Sequence, residues 1–341
     1  MATQQRPASS GRRGPSGAWS RLKTPPQDPL EAYGLPSKGE TRLNDFKVQE
    51  VYYNRIVERY MKFCANAKNG DELDRHFATL SISGLAASKY ASQPPASSTP
   101  TTLPPLSATK LNPSSSNAAT PSIPSPELQL ILSATRKLRE AIVSSHRTDS
   151  FAQRCYVFII RAAILARAWE SYHPALLYLL RTIHPLTPLA DSELKELVGY
   201  RVLDEACRIG DLGEAHKTRV AFSVRYGWKK DDCKLRRVDV VLRALVHDDW
   251  TTFWRMRRAV DGYQRRLMEW AEDGMRVHAL KCLGRSYFSA ERGYVERCTG
   301  TEWRELVRQG VGWELQSDGE TVVIRRVKAK GIGGVGGSSG G

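Results

Sequence analysis

The sequence predicts a mainly α-helical protein, and three observations support this fold class. Apolar residues recur at three-and-four spacing through most of residues 44–66 and 126–309, as on one face of a helix. Two helix pairs are joined by short turns with an Asp in the capping position, at residues 210–213 and 247–249. Strand-like alternation occurs only near the end, around Asp318-Gly319. We therefore expect a helical-repeat array of TPR- or HEAT-like hairpins, capped by a C-terminal winged helix.

Composition indicates a soluble globular protein with a basic bias. The 341 residues include 51 Lys and Arg against 36 Asp and Glu, a net charge of +15, and 41% are apolar. No apolar run approaches the roughly 18 residues that cross a bilayer, so no membrane contact is expected. The N-terminal stretch lacks the apolar core of a secretory signal, and its Pro and Gly residues break the helix that a mitochondrial transit peptide needs. We expect reduced thiols and a location in the cytoplasm, the nucleus or both.

Composition also divides the chain into segments that lack core-forming residues and segments that have them. The first set comprises a disordered tail (1–40), a disordered Pro/Ser-rich insertion (84–125) and a flexible Gly-rich tail (331–341). The second set comprises an N-terminal helical hairpin (41–83, with helices at 44–66 and 71–81), the helical-repeat array (126–262) and the long helix with the winged helix (263–330).

Periodicity predicts the helices of the array. They are Glu127–Ser145, Ser150–Tyr172, a short helix starting at Pro174, Leu194–Arg208, Glu214–Tyr226, Asp239–Val246 and Trp250–Val260. Ser150 with Gln153 matches a capping box, so Ser150 is expected to begin its helix. The C-terminal part is predicted as a long helix (263–287), two short helices (289–297 and 301–309) and strands at 311–315 and 321–327. Three helices followed by a hairpin are the order of a winged helix.

Three segments carry a resemblance to a known family. They are LVHDDWTTFW at 245–254, RVHALKCLGRSY at 276–287, and EWRELVRQGVGWEL at 302–315 followed by the hairpin. In these segments the sequence resembles the PCI family, the subunits shared by the proteasome lid, the COP-nine signalosome and translation initiation factor three. The nearest resemblance is to short members: the signalosome's small subunit, the lid subunit numbered twelve and the k subunit of the initiation factor. Those members lack the Pro/Ser insertion and the basic tail of this chain.

The resemblance implies a non-catalytic scaffold that holds other PCI-type subunits of a multisubunit complex. It implies no small-molecule substrate, and it implies that the edge of the wing can pair with the wing of a partner. The alternative is a nucleic-acid-associated PCI protein of the mRNA-export (GANP-like) kind. That alternative implies binding to RNA that weakens steeply with salt.

The residues themselves predict no catalytic, cofactor or metal site, so we do not expect an enzyme. The Gly331-to-Gly336 match to a dinucleotide fingerprint has no following helix to bind phosphate. No cysteines occur as CxxC, and Cys155, Cys207 and Cys282 fall on apolar helical faces, where a thiol is usually a small hydrophobe. Structural roles are also expected for the remaining candidates, which are His247, His278 and the pair Asp248-Asp249.

Two sets of side chains are expected to matter for assembly. The first should fill the junction between the array and the winged helix: Trp250, Phe253, Trp254, Trp270, Trp303 and Trp313. The second is basic and is suited to contact with nucleic acid or an acidic partner: Arg304, Arg308, Arg325, Arg326 and Lys328. Subunit contact is favoured over nucleic acid, because the resemblance implies a winged helix that mediates the stacking of subunits, and neighbouring Glu residues also balance the basic side chains.

Overall fold

A computed structural model describes residues 28–66, 126–229 and 233–326 of the protein, and within these ranges it is mainly helical, as predicted. The helices are α1 (Phe46–Asn66), α2 (Pro126–Ser144), α3 (Ser150–Leu165), α4 (Trp169–Tyr178), α5 (Asp191–Leu203), α6 (Leu212–Tyr226), α7 (Cys233–Val246), α8 (Trp250–Ala259), α9 (Gly262–Ser286), α10 (Arg292–Thr299) and α11 (Trp303–Arg308). The strands are β1 (Ser289–Glu291), β2 (Glu314–Leu315) and β3 (Thr321–Val323). Turns of π-helix extend α4 through Leu179–Ile183 and α5 through Asp204–Ile209.

The segment before α1 packs on the helices. Leu30 is buried, and its carbonyl oxygen accepts hydrogen bonds from Tyr52 Oη at 2.8 Å and from Lys137 Nζ at 3.2 Å. Tyr33 meets the Tyr52 ring edge to face. The predicted disordered tail is therefore wrong for residues 28–40, because a buried leucine and an aromatic pair anchor this stretch. Residues 1–27 lie outside the described residues.

Helix α1 packs against α2, with Tyr52 and Ile56 fully buried. Arg147, just after α2, fastens the pair through an ion pair with Glu50 at 2.6 Å. Its guanidinium also lies over the rings of Phe46 and Phe151. The predicted partner helix 71–81, the insertion 84–125 and the tail 331–341 lie outside the described residues.

The helix predicted over Ser150–Tyr172 is divided in the structure. α3 ends at Leu165, Arg167 adopts a left-handed conformation with φ of 52°, and α4 contains Pro174 in its interior instead of starting there. Contact between the Arg167 guanidinium and the Trp270 ring, 4.1 Å from the centroid, accompanies this break and has no local sequence signal. The predicted capping box is also wrong. Asp149 caps α3 by accepting the Ala152 N–H at 2.9 Å.

The two predicted Asp-capped turns are confirmed. Asp211 accepts the Glu214 N–H at 2.8 Å, and Asp249 accepts the Thr252 N–H at 2.9 Å. Gly210, with φ of 81°, provides the left-handed residue that ends the first helix of its pair. These turns bring α5 against α6 and α7 against α8.

The end of the chain forms a small antiparallel sheet with the strand order β1-β3-β2. The hairpin of β2 and β3 lies where the sequence places it. The helix predicted over 289–297 begins only at Arg292, because Ser289–Glu291 pair with Val323, Val322 and Thr321 as β1. Since β3 occupies the centre, the outer strand of the hairpin is β2, and the opposite edge of the sheet is β1.

Two hydrophobic clusters share helix α9. The larger one joins α1–α8 to Leu267, Met268 and Met275 of α9, and we call this part the helical body. The smaller one contains Leu283, Val295, Cys298, Trp303, Leu306 and Val322, and we call residues 283–326 the C-terminal module. The boundary predicted at residue 263 therefore does not separate two units, because one continuous helix contributes to both cores.

Candidate interaction surface

The C-terminal module is docked on the helical body through a close contact between Trp254 and Gly300. Trp254 is buried, and its indole N–H donates to the Cys298 carbonyl oxygen at 2.9 Å. Gly300 ends α10 with φ of 65°, and a Cβ placed on it would lie 2.6 Å from Trp254 Cδ2. Only glycine combines this backbone conformation with this close approach. This contact between the C-terminal module and the helical body, which we call the joint, is therefore tightly packed.

The six aromatic side chains predicted at the junction fall into three groups. Phe253 and Trp254 are buried in the larger cluster, and Trp303 is buried in the smaller one, with Trp313 half-buried beside it. Trp250 is half-buried and packs against both clusters, so it bridges them. Trp270 packs with the larger cluster under Arg167 and, unlike Trp250, does not contact the smaller one.

A thiol and an imidazole also meet near the joint, which the sequence did not indicate. Cys282 Sγ lies 3.4 Å from His278 Nε2, and His278 Nδ1 lies 4.0 Å from Asp248 Oδ2. The second distance exceeds a hydrogen bond, so Asp248 does not hold the imidazole in one orientation as a catalytic triad requires. The start of α8 contacts α9 here through the Trp250 ring, whose centroid lies 5.7 Å from that of His278. The other two cysteines singled out are buried, and this burial raises the pKa of the Cys155 and Cys207 thiols.

Most of the predicted basic contact residues have partners within the module. Arg308 pairs with Glu305 and Arg326 pairs with Glu314, each at 2.5 Å. Arg325 donates to the carbonyl oxygen of Arg285 at 2.8 Å. Arg304 is exposed on α11, while Lys328 lies outside the described residues. The module, residues 283–326, contains seven basic and seven acidic side chains, so these residues carry no net charge.

Strand β1 leaves backbone groups open along its outer edge. Ile324 N–H donates to the Phe288 carbonyl oxygen at 2.8 Å, and Arg292 N–H donates to that of Glu320 at 2.6 Å. Because hydrogen-bonded pairs alternate in an antiparallel ladder, the N–H and C=O of Ser289 and the N–H of Glu291 point away from β3, while the Glu291 carbonyl oxygen begins helix α10. No further strand pairs with this edge among the described residues. Such an edge is a template for strand addition.

Exposed aromatic side chains flank this edge. Phe288 is 56% exposed and Tyr287 is 41% exposed, immediately before β1. Tyr294 of α10 lies against Tyr287, and Arg325 lies over the Phe288 ring at 4.9 Å from its centroid. The sequence predicted Tyr287 at a helix end, Tyr294 inside a helix and Arg325 on a strand, with Phe288 between two helices, and it did not indicate this surface. The one available signal was the aromatic pair Tyr287-Phe288 after the last apolar turn of α9, because aromatic residues favour strands.

Other kinds of site find little support in the part of the chain that the structure describes. There, no cluster of three or more His, Cys, Asp or Glu side chains is arranged to hold a metal ion. None of the described helices has the length and apolar character needed to span a bilayer. Comparison with models of known protein families gives no match, and comparison with curated proteins gives none either.

Proposed function

We propose that this protein is a non-catalytic scaffold subunit of the PCI type, which holds other subunits of a multisubunit complex of the proteasome lid, signalosome or initiation factor three kind. The observation that carries the proposal is the open β1 edge beside exposed aromatic side chains. Unpaired strand edges next to apolar surface are typical places for a partner strand to bind.

The order of elements in the C-terminal module supports a winged helix. Helix α9 is followed by β1, then α10 and α11, then the hairpin of β2 and β3, and the sheet has β3 in its centre. In this proposal the helical body is the repeat array and α9 is the first helix of the winged helix. The paired helices α5–α6 and α7–α8, each with an Asp-capped turn, support the array.

A scaffold must present its binding edge in a fixed orientation, and the joint meets this need. Helix α9 runs without interruption from Gly262 to Ser286 through both hydrophobic clusters. The Trp254–Gly300 contact adds a second point of attachment. Two separated attachments restrict rotation of the module. The β1 edge therefore keeps a fixed orientation relative to the helical body.

The charges of the module favour a protein partner over nucleic acid. Proteins that bind a nucleic acid backbone need several cations that are available to phosphate. Arg308 and Arg326 each have a carboxylate beside them, which reduces the net positive charge that a phosphate would meet, and Arg325 donates to backbone carbonyl oxygens. Among the described residues of the five basic positions, Arg304 alone has no such partner. We therefore prefer a protein partner to the GANP-like alternative, and the experiment below distinguishes the two.

Ser289→Pro tests the role of the β1 edge. The substitution removes an N–H that points away from the sheet and places proline where an added strand would pair, so the fold should tolerate it. We expect the partner subunits that co-purify with the tagged full-length protein to fall by about tenfold, because the added strand loses backbone hydrogen bonds and register. Quantitative mass spectrometry of purified complexes measures this loss.

Ser317→Pro is the matched control. Ser317 occupies the second position of the turn in which Gly319 N–H donates to the Gln316 carbonyl oxygen at 3.0 Å, a position that favours proline. Both variants should unfold at the wild-type temperature, and Ser317→Pro should retain its partners. Equal recovery of PCI-type subunits by Ser289→Pro and wild type would contradict the proposal. Recovery of salt-sensitive nucleic acid without such subunits would favour the alternative.

A further inference from the structure

A cavity of about 470 Å³ lies between the N-terminal segment and helices α2, α3 and α4. This volume falls within the roughly 300–1,000 Å³ of pockets that hold small organic ligands. Its accessible apolar wall consists of Pro36, Val143, Pro174 and Tyr178, and the fully buried Tyr156 lies beneath it. The two tyrosine rings stack with their centroids 5.2 Å apart. The cavity therefore offers an aromatic and aliphatic wall to an apolar body.

The cavity also contains a cation without a carboxylate partner. Arg139 is half-buried, and its one hydrogen bond runs from Nη1 to the Ser171 carbonyl oxygen at 2.6 Å. No carboxylate lies within ion-pair distance of Arg139 among the described residues, whereas the buried Arg147 and Arg219 each pair with at least one. Burial lowers the pKa of the Arg139 guanidinium. A half-buried guanidinium without a carboxylate partner is stabilised more by a bound anion than one that is already paired.

The other polar groups of the cavity leave the positive charge of Arg139 without a compensating negative charge. The Tyr156 hydroxyl is buried without a hydrogen-bond partner. Burial raises the pKa of Tyr156, and the positive charge of Arg139 partly offsets that rise. Glu140 also lines the cavity, but its carboxylate accepts from Arg136 Nε at 3.1 Å and from Ser37 Oγ at 2.9 Å. The negative charge of Glu140 is thus already compensated, while the positive charge of Arg139 is not.

We propose that this cavity binds a carboxylate carried on an apolar body, with the carboxylate on Arg139 and the apolar body against Val143, Pro174 and Tyr178. A free aromatic acid and a peptide chain that ends in a large apolar residue share this chemistry. The guanidinium supplies planar donors that match a carboxylate, and the Tyr178 ring, held from behind by Tyr156, supplies aromatic contact. The site is separate from the β1 edge, so it does not depend on the proposed scaffold function.

Isothermal titration calorimetry of the full chain with 4-phenylbutyrate and with its amide tests the proposal. The acid should bind about tenfold or more tightly than the amide, because only the acid makes a charge-assisted hydrogen bond with the guanidinium. A second pair of probes, a tripeptide ending in phenylalanine with a free or an amidated terminus, identifies the source. Stronger binding of the free-terminus peptide than of 4-phenylbutyrate indicates a chain terminus, and the reverse order indicates a free acid.

Arg139→Met keeps the apolar stem of the side chain and removes its charge. This variant should bind acid and amide equally weakly, while Arg154→Met, an exposed position on α3, should bind as wild type does. If Arg139→Met does not fold, the comparison of acid and amide in the wild-type protein still decides the matter. Equal affinity for acid and amide, or no binding of any probe, would overturn the proposal.

Discussion

Replacing Gly300 by alanine is expected to destabilise the protein by about 3 kcal/mol, as a left-handed penalty of about 1–2 kcal/mol adds to the cost of overpacking. The added Cβ would lie 2.6 Å from Trp254 Cδ2, and the backbone has φ of 65°. The indole cannot move aside freely, because it is buried and donates to Cys298. Chemical denaturation followed by tryptophan fluorescence measures the loss.

Gly310→Ala separates the backbone penalty from the cost of overpacking against Trp254. Gly310 also has a positive φ, of 92°, but a Cβ placed there would meet nothing within 4 Å. Its replacement should cost only the backbone penalty of about 1–2 kcal/mol. If Gly300→Ala and Gly310→Ala had equal effects, the close fit of Trp254 against the end of α10 would not contribute to stability.

Asp204→Asn is expected to cost about 3 kcal/mol at pH 7, because it removes one member of a buried charge pair. Asp204 is 1% exposed and accepts from Tyr172 Oη at 2.6 Å and from Arg208 Nε at 2.6 Å. His173 Nδ1 lies 2.8 Å from the second carboxylate oxygen. The asparagine has nearly the same shape but leaves the Arg208 guanidinium without its counter-charge. Urea denaturation of both proteins gives the difference.

The same substitution should alter the dependence of stability on pH. Burial raises the pKa of Asp204, but the hydrogen bonds from Arg208, His173 and Tyr172 outweigh it and hold the pKa below its ordinary value of 3.8. The charged form thus stabilises the fold above about pH 4, and this contribution is lost as the pH falls through the folded-state pKa. The gap between wild type and Asp204→Asn should therefore narrow at low pH.

Asp273→Asn is the control for the loss of a carboxylate at the surface. Its side chain is 88% exposed and pairs with Arg276 at 2.6 Å. Arg276 is 11% exposed but also donates to Thr301 and lies 4.0 Å from Glu272, so loss of this exposed carboxylate should cost only about 0–1 kcal/mol and the variant should unfold nearly as wild type does. A loss for Asp204→Asn that is no greater than for Asp273→Asn would contradict the structural role given to the buried cluster.

The elements that the sequence predicted well are those with local causes. Asp211 and Asp249 cap helices that begin directly after them, so residue type and position suffice to place both turns. The hairpin around Asp318-Gly319 has the same character, since Gly319 adopts φ of 71° within the turn. Helical periodicity likewise depends on residues three or four positions apart, and most helix ends fall within a few residues of their predicted positions.

The elements that the sequence missed depend on distant partners. Ser289–Glu291 form a strand because β3, more than 30 residues later, pairs with them. Arg167 interrupts a helix where it contacts Trp270 of α9. Leu30, in the segment predicted to be disordered, is held in place because Tyr52 and Lys137 donate to its carbonyl oxygen. The open β1 edge and the Arg139 cavity follow from such packing. Neither has a motif, so spacing alone could not reveal them.

Hydrogen–deuterium exchange of the purified complex tests the central claim most directly, namely that a partner protein adds a strand to the β1 edge. The amides of Ser289 and Glu291 should exchange rapidly in the isolated protein and slow markedly when the partner is bound, because those N–H groups then donate to it. Helix α8 should exchange equally in both states. Unchanged exchange at β1, with new protection at Arg304 and Arg308 of α11 or on the helical body alone, would contradict the account.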